Sequence, residues 1–201
     1  MCARIARYQG ARVIAVEPVA ERRAMARRHD IEVIDPGEVD NVGDAIRELT
    51  AGRGADSVID AVGMEAHGSP LGKIAQHAAG LLPDRAAQTV IEKAGVDRLN
   101  ALLTAIDTVR RGGTVSIIGV YGGSADPLPM MTMFDKQVQL RMGQANVKRW
   151  IDDLLPLVSD PADPLGVEDL ATHHLPLAEA PRAYDMFQKK HDGAVKVILH
   201  P

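Results

Sequence analysis

Residues 12–34 read RVIAVEPVAERRAMARRHDIEVI, and this stretch decides the fold. RVIAV (12–16) is a short β-branched run that suits a buried parallel strand, and Pro18 prevents its continuation. A helix follows over 21–28, with Glu21 in its first turn and Arg27 and Arg28 in its last, matching the helix dipole. IEVI (31–34) is a second strand, closed by Asp35-Pro36-Gly37. Strand, helix and strand follow one another here, and a helical crossover of this kind joins parallel strands.

The same rhythm extends outward. Residues 1–9 read as a helix with Met1, Ile5 and Tyr8 on one stripe, and Gly10 stands where a stop belongs. Its start has no capping residue before it. Downstream, Val42, Ala45, Ile46 and Leu49 repeat at helical spacing up to Gly52. SVIDAV (57–62) and TVSIIGV (114–120) are third and fourth strands. Between them Leu99, Leu102, Leu103, Ile106 and Val109 line a helix that is expected to end at Arg110-Arg111-Gly112-Gly113. VQLRM (138–142) is a fifth strand, and Trp150, Ile151, Leu154, Leu155 and Val158 line another helix. The alternation specifies an α/β fold, a parallel sheet with helices on both faces. From Pro161 the texture changes, through Pro164 and Gly166, to a strand at 172–175, a helix at 183–189 and a strand at 194–199. That tail is too short to be a domain alone.

Composition narrows the function classes. With 46% apolar and 25% charged residues the chain is an ordinary globular protein. A net charge of -4 gives no reason to expect nucleic acid or an anionic membrane as partner. Arg22-Arg23 and Arg27-Arg28 read as a solvated helix face. One cysteine, Cys2, excludes a disulfide framework, and no apolar run approaches the roughly 20 residues of a membrane span. With no signal-peptide pattern at the start, a cytoplasmic location is expected.

Ligands of open α/β sheets sit outside the carboxyl ends of the strands. An acid closing the strand at 12–16 can accept both ribose hydroxyls of an adenine dinucleotide, and Glu17 is in that place; it equally suits the dipole of the following helix. Arg22, one turn on, either touches that ribose or is solvated. Gly119-Val120-Tyr121-Gly122-Gly123 closes one strand and Val62-Gly63 another, as turn elements or as the backbone rim of a site. Residues 64–97 exceed the usual ~2–6-residue connection and read as a partly helical lid, with Leu71, Ile74, Leu81, Leu82, Val90 and Ile91 as its apolar residues. His173 and His174 are adjacent on a strand, so they point to opposite faces and do not easily share an ion; His67 and His77 have no partner ligand at metal spacing. No metal site and no catalytic residue is expected within the chain.

SVIDAVGMEAHG (57–68), VRRGGTVSIIGVYGG (109–123) and LRMGQAN (140–146) resemble the medium-chain, zinc-dependent alcohol dehydrogenases. The long insertion after Asp-Ala-Val-Gly is most similar to glutathione-independent formaldehyde dehydrogenases. The resemblance implies a Rossmann-type doubly wound parallel sheet over residues 1–160, and a returning segment of the GroES-like catalytic domain over 161–201. It implies NAD as cofactor, a small alcohol or aldehyde as substrate, and a homo-oligomer. By the same resemblance Glu17 and Arg22 bind the adenosine ribose, and Val62, Gly63, Gly119 and Val120 flank the nicotinamide or its ribose. Gln144 lies near the nicotinamide edge, and Lys196 reaches the pyrophosphate. The family's first strand, with its Gly-x-Gly-x-x-Gly turn, and its zinc-ligand domain are expected to precede the helix that opens this sequence. That strand lies mid-sheet, beside the strands at 12–16 and 57–62, so each is expected to lack a partner at a cost of about 1–3 kcal/mol per unmet backbone group. The expectation is therefore an N-terminally truncated, inactive chain. The alternative is a non-catalytic interaction or oligomerisation module, using the apolar run LPMMTMF (128–134) as a contact.

Overall fold

A computed structural model describes residues 1–63, 99–121 and 128–201. Its chain contacts divide into two compact units, Met1–Glu38 with Ala145–Pro201, and Val39–Gln144.

The first unit opens with α1 (Cys2–Tyr8), β1 (Ile14–Val16), α2 (Ala20–Arg27) and β2 (Glu32–Ile34). β1 and β2 pair in parallel, Ile14 opposite Glu32 and Val16 opposite Ile34, as the sequence predicts. The unit continues with α6 (Val147–Val158), a 3-10 turn (Glu168–Leu170), β6 (His173–Pro176), α7 (Ala180–Lys189) and β7 (Val197–His200). β6 and β7 also pair in parallel, Pro176 opposite His200. Arg4 of α1 is 6% exposed and ties this unit together. It donates to Leu165 O at 3.4 Å, to Gly166 O and to Asp169 at 2.9 Å. Asp169 also takes Arg28 at 2.9 Å and His29 Nε2 at 2.8 Å, so the 3-10 turn is clasped to both α1 and the end of α2. A buried guanidinium is stable only when its donors are met in this way.

The second unit holds α3 (Val42–Leu49), β3 (Ala55–Asp60), α4 (Asn100–Thr108), β4 (Val109–Ile117), α5 (Met130–Lys136) and β5 (Gln139–Met142). The sheet order is β3-β4-β5, all parallel. Its core is Leu99, Leu102, Ala105, Ile106, Val109, Val115, Ile117 and Met133. Ile106, Val109 and Val115 are at most 1% exposed, and burial of such side chains contributes about 1.5–3 kcal/mol each. Asn41 caps α3 by accepting from Asp44 N at 3.0 Å. Lys136 does the converse for α4, donating to Ile106 O at 2.8 Å and Asp107 O at 2.9 Å, two carbonyls the helix end leaves unpaired.

Several strand ends shift by a few residues, and one boundary differs in kind from the sequence reading. Residues 110–113 are not a turn after the helix; β4 already begins at Val109 and contains them as an irregularity. Val109 sits opposite Ala55, yet Thr114 sits opposite Ser57, so three extra residues bulge out. Gly112 supplies the left-handed φ of +67°, and Gly113 comes so close to Asp56 O that a Cβ would lie 2.9 Å from it. A glycine pair serves a bulge as readily as a turn, and local sequence does not tell them apart.

β1 is hydrogen-bonded to β2, and β3 to β4; among the described residues neither has a strand on its other edge. The expected insertion at 64–97, with His67 and His77, and Gly122 and Gly123, lie outside the described residues.

Candidate dinucleotide site

In the second unit the carboxyl ends of β3 and β4 meet at two glycines. Gly63 has φ +65°, and a Cβ on it would stand 2.5 Å from Val120 N and 2.7 Å from Val120 O. A Cβ on Gly119 would stand 2.2 Å from Gly63 N and 2.6 Å from its Cα. Only glycine allows backbones this near to each other. Val62, Gly63, Gly119 and Val120, four residues expected to share a rim, are thus brought together. Val62 and Val120 are 46% and 81% exposed, leaving aliphatic surface beside bare backbone.

Asp60 holds this rim, and the sequence reading passed over it. It is 4% exposed. One carboxylate oxygen accepts from Val62 N at 2.9 Å and Gly63 N at 3.4 Å, and the other accepts the Tyr121 hydroxyl. Its carbonyl accepts from Ile118 N and Gly119 N, both at 2.9 Å. Burial, then the bond to Asp60, push the Tyr121 hydroxyl well above its ordinary range, so it keeps its proton and donates it to Asp60. The signal was available: an aspartate on a buried strand face, inside Asp-Ala-Val-Gly, needs donors. Gln144 is also in this unit, exposed in the short link that follows β5.

Glu17, Arg22 and Lys196 belong to the first unit. Glu17 follows β1, and its carboxylate accepts from Val19 N at 2.9 Å, just before α2. That bond and a ribose contact are compatible, because a carboxylate has further lone pairs. Arg22 is half-buried on α2. Its neighbour Arg23 makes the structural contacts, to Glu17 O at 3.1 Å, Pro18 O at 2.6 Å and Asp35 at 2.6 Å. The solvated-face reading therefore fails for Arg23, whose side chain is 14% exposed. Helix spacing alone put it on the wet side; the ends of β1 and β2 supply acceptors that no periodicity shows. Lys196 is exposed, and its backbone carbonyl accepts from Thr172 N at 3.1 Å just before β7.

His173 and His174 face apart as expected: His173 bonds Thr172 Oγ1 at 3.0 Å, whereas His174 bonds His200. Among the described residues no group of three or more histidine, cysteine or acidic side chains could hold a metal, and no helix is long and apolar enough to cross a membrane. Two surface depressions, of about 200 and about 310 Å³, lie beside Arg4, Arg7 and Tyr8, and beside Arg12, Val13 and Glu32. They open by the amino ends of β1 and β2, the wrong ends for a ligand of this fold.

Residues 1–79 match the family model described as zinc-binding dehydrogenase. The chain is 38% identical, over 191 residues, to an uncharacterised zinc-type alcohol dehydrogenase-like protein of Bacillus subtilis, covering 94% of this chain and 46% of that protein. It is 33% identical, over 158 residues, to a probable zinc-binding alcohol dehydrogenase of Mycobacterium tuberculosis, covering 79% and 32%. Among solved structures, the alcohol dehydrogenase of Thermus sp. ATN1 aligns with a TM-score of 0.75 and 28% identity, covering 99% of this chain and 47% of that one. The chain thus spans less than half the length of these relatives. The chain thus has a parallel-sheet α/β fold of the Rossmann type, and its sequence is similar to zinc-type alcohol dehydrogenase-like proteins over less than half of their length.

Proposed function

We propose that this chain is the NAD-binding part of an alcohol dehydrogenase, with a small alcohol or aldehyde, formaldehyde included, as hydride donor or acceptor. The observation that carries this reading is the glycine-to-glycine approach of the β3 and β4 ends, in a chain with zinc-type alcohol dehydrogenase relatives. That approach leaves backbone and the exposed Val62 and Val120 side chains as a flat apolar edge, the surface a nicotinamide ring and its ribose need. Glu17, with Arg22 beside it, takes the adenosine ribose; Lys196 takes the pyrophosphate; Gln144 lies at the nicotinamide edge. Bound NAD would supply the hydride chemistry itself. Residues 1–160 form the dinucleotide domain and 161–201 the returning part of a catalytic domain. Zinc is assigned to the catalytic domain of the full protein. The same reading takes the chain by itself as inactive, and its full protein as a cytoplasmic homo-oligomer. Met130, Met131 and Phe134 of α5, 63%, 79% and 81% exposed, also suit the second reading, an interaction module.

The test is NADH binding by the 201-residue chain, followed by saturation-transfer NMR. NADH is expected to bind weakly, with Glu17→Ala and Val120→Asp each weakening it about tenfold, or about 1.4 kcal/mol. No oxidation of ethanol or formaldehyde is expected. Absence of binding at millimolar NADH refutes the reading, binding untouched by both variants refutes the residue roles, and turnover by the chain alone refutes its inactivity.

A further inference from the structure

His174 and His200 stand on neighbouring parallel strands, β6 and β7. Since Pro176 is opposite His200, His174 is two residues earlier on the same face, at diagonal reach. The Nδ1 of His174 lies 3.0 Å from the Nε2 of His200. The rings stack at 5.2 Å between centroids with 17° between planes, and both are exposed. One nitrogen must donate the hydrogen and the other must accept it, so two imidazole nitrogens are already aimed at each other.

We propose that His174 and His200 form a two-histidine chelate for a divalent transition-metal ion, with water in the remaining positions. Metal–imidazole bonds of about 2.0–2.1 Å, at angles from square to tetrahedral, set two ligand nitrogens roughly 2.9–3.4 Å apart. The observed 3.0 Å falls in that interval, so small side-chain rotations suffice to turn both lone pairs onto one ion. The ring that donates the shared hydrogen moves it to its other nitrogen, Nε2 of His174 or Nδ1 of His200. Two neutral imidazoles therefore take the ion without net proton release. Only ions that accept nitrogen ligands fit, in the order Cu²⁺ above Ni²⁺ and Zn²⁺. His173 takes no part, because it faces away toward Asp192 at 3.4 Å. The site is independent of the dehydrogenase reading.

The experiment is calorimetric titration of the untagged 201-residue chain with Cu²⁺, Ni²⁺ and Zn²⁺ in a Cys2→Ser background, which removes the one thiol. One equivalent of Cu²⁺ is expected to bind most tightly. His174→Gln and His200→Gln are each expected to lower its affinity at least tenfold, and His173→Gln to leave it unchanged. In the NMR spectrum, Cu²⁺ should broaden the ring protons of His174 and His200 first. Both substitutions lie on an exposed sheet face, and circular dichroism of each variant is expected to match the parent chain. Equal affinity in His174→Gln, equal affinity in His200→Gln, or no binding of any of the three ions, overturns the proposal.

Discussion

Replacing Gly119 by alanine tests the rim most directly. The new Cβ would lie 2.2 Å from Gly63 N, 2.6 Å from Gly63 Cα and 2.9 Å from Val62 C, where ordinary contact begins at 3.4 Å. All three atoms are backbone, so no side chain can swing away. The φ of Gly119 is not in the left-handed region, so alanine adds no torsional strain and the effect is steric alone. To admit the methyl, the ends of β3 and β4 must part by about an ångström, which breaks the bonds from Ile118 N and Gly119 N to Asp60 O. Overpacking of this kind costs about 1–3 kcal/mol. Two hydrogen bonds add about 0.5–1.5 kcal/mol each, so the sum is about 2–6 kcal/mol. For a chain of this size each kcal/mol lowers Tm by about 2–4 °C, giving a fall of about 4–24 °C by differential scanning calorimetry. Gly143→Ala is the control, since a Cβ there meets nothing within 4 Å. If Gly119→Ala melts with Gly143→Ala, the close approach of the two strand ends is wrong, and with it the cradle on which the cofactor reading rests.

Two further outcomes follow from the polar clusters. Tyr121→Phe strips one donor from the buried Asp60 carboxylate, and urea unfolding should show about 1–3 kcal/mol lost, whereas Tyr184→Phe, 75% exposed, should show none. The bond from His29 first, then Arg28 and Arg4, hold the Asp169 carboxyl down at about 2 against an ordinary 3.8. A lowered folded-state value means that the contribution is fully present above about pH 4 and is lost as pH falls toward 2. Asp169 is a third exposed, so solvent screening reduces the full linkage value to about 1–2 kcal/mol. Asp169→Asn should therefore show a flatter stability profile between pH 4 and pH 2; an unchanged acid limb refutes the clasp.

The sequence by itself determined the order and kind of the elements. The run at 12–34 carries its own periodicity, its own stops at Pro18 and Pro36, and a helical crossover that joins parallel strands. Strand β3 and helix α4 were legible for the same reason, because alternation and 3.6-residue spacing are local properties of the chain. The four rim residues were legible too, as the ends of strands that had to run parallel. Only tertiary structure decided how polar groups are satisfied. Residues 110–113 became a bulge because β4 had to keep register with Ala55 and Ser57. Arg23 left solvent for Asp35, and Asp169 gathered Arg4, Arg28 and His29 across 140 or more residues. Asp60 took Tyr121 from 61 positions away, and His174 met His200 across 26. Such pairings depend on which strands and helices become neighbours, and a hydrogen bond of about 3 Å has no counterpart in sequence spacing.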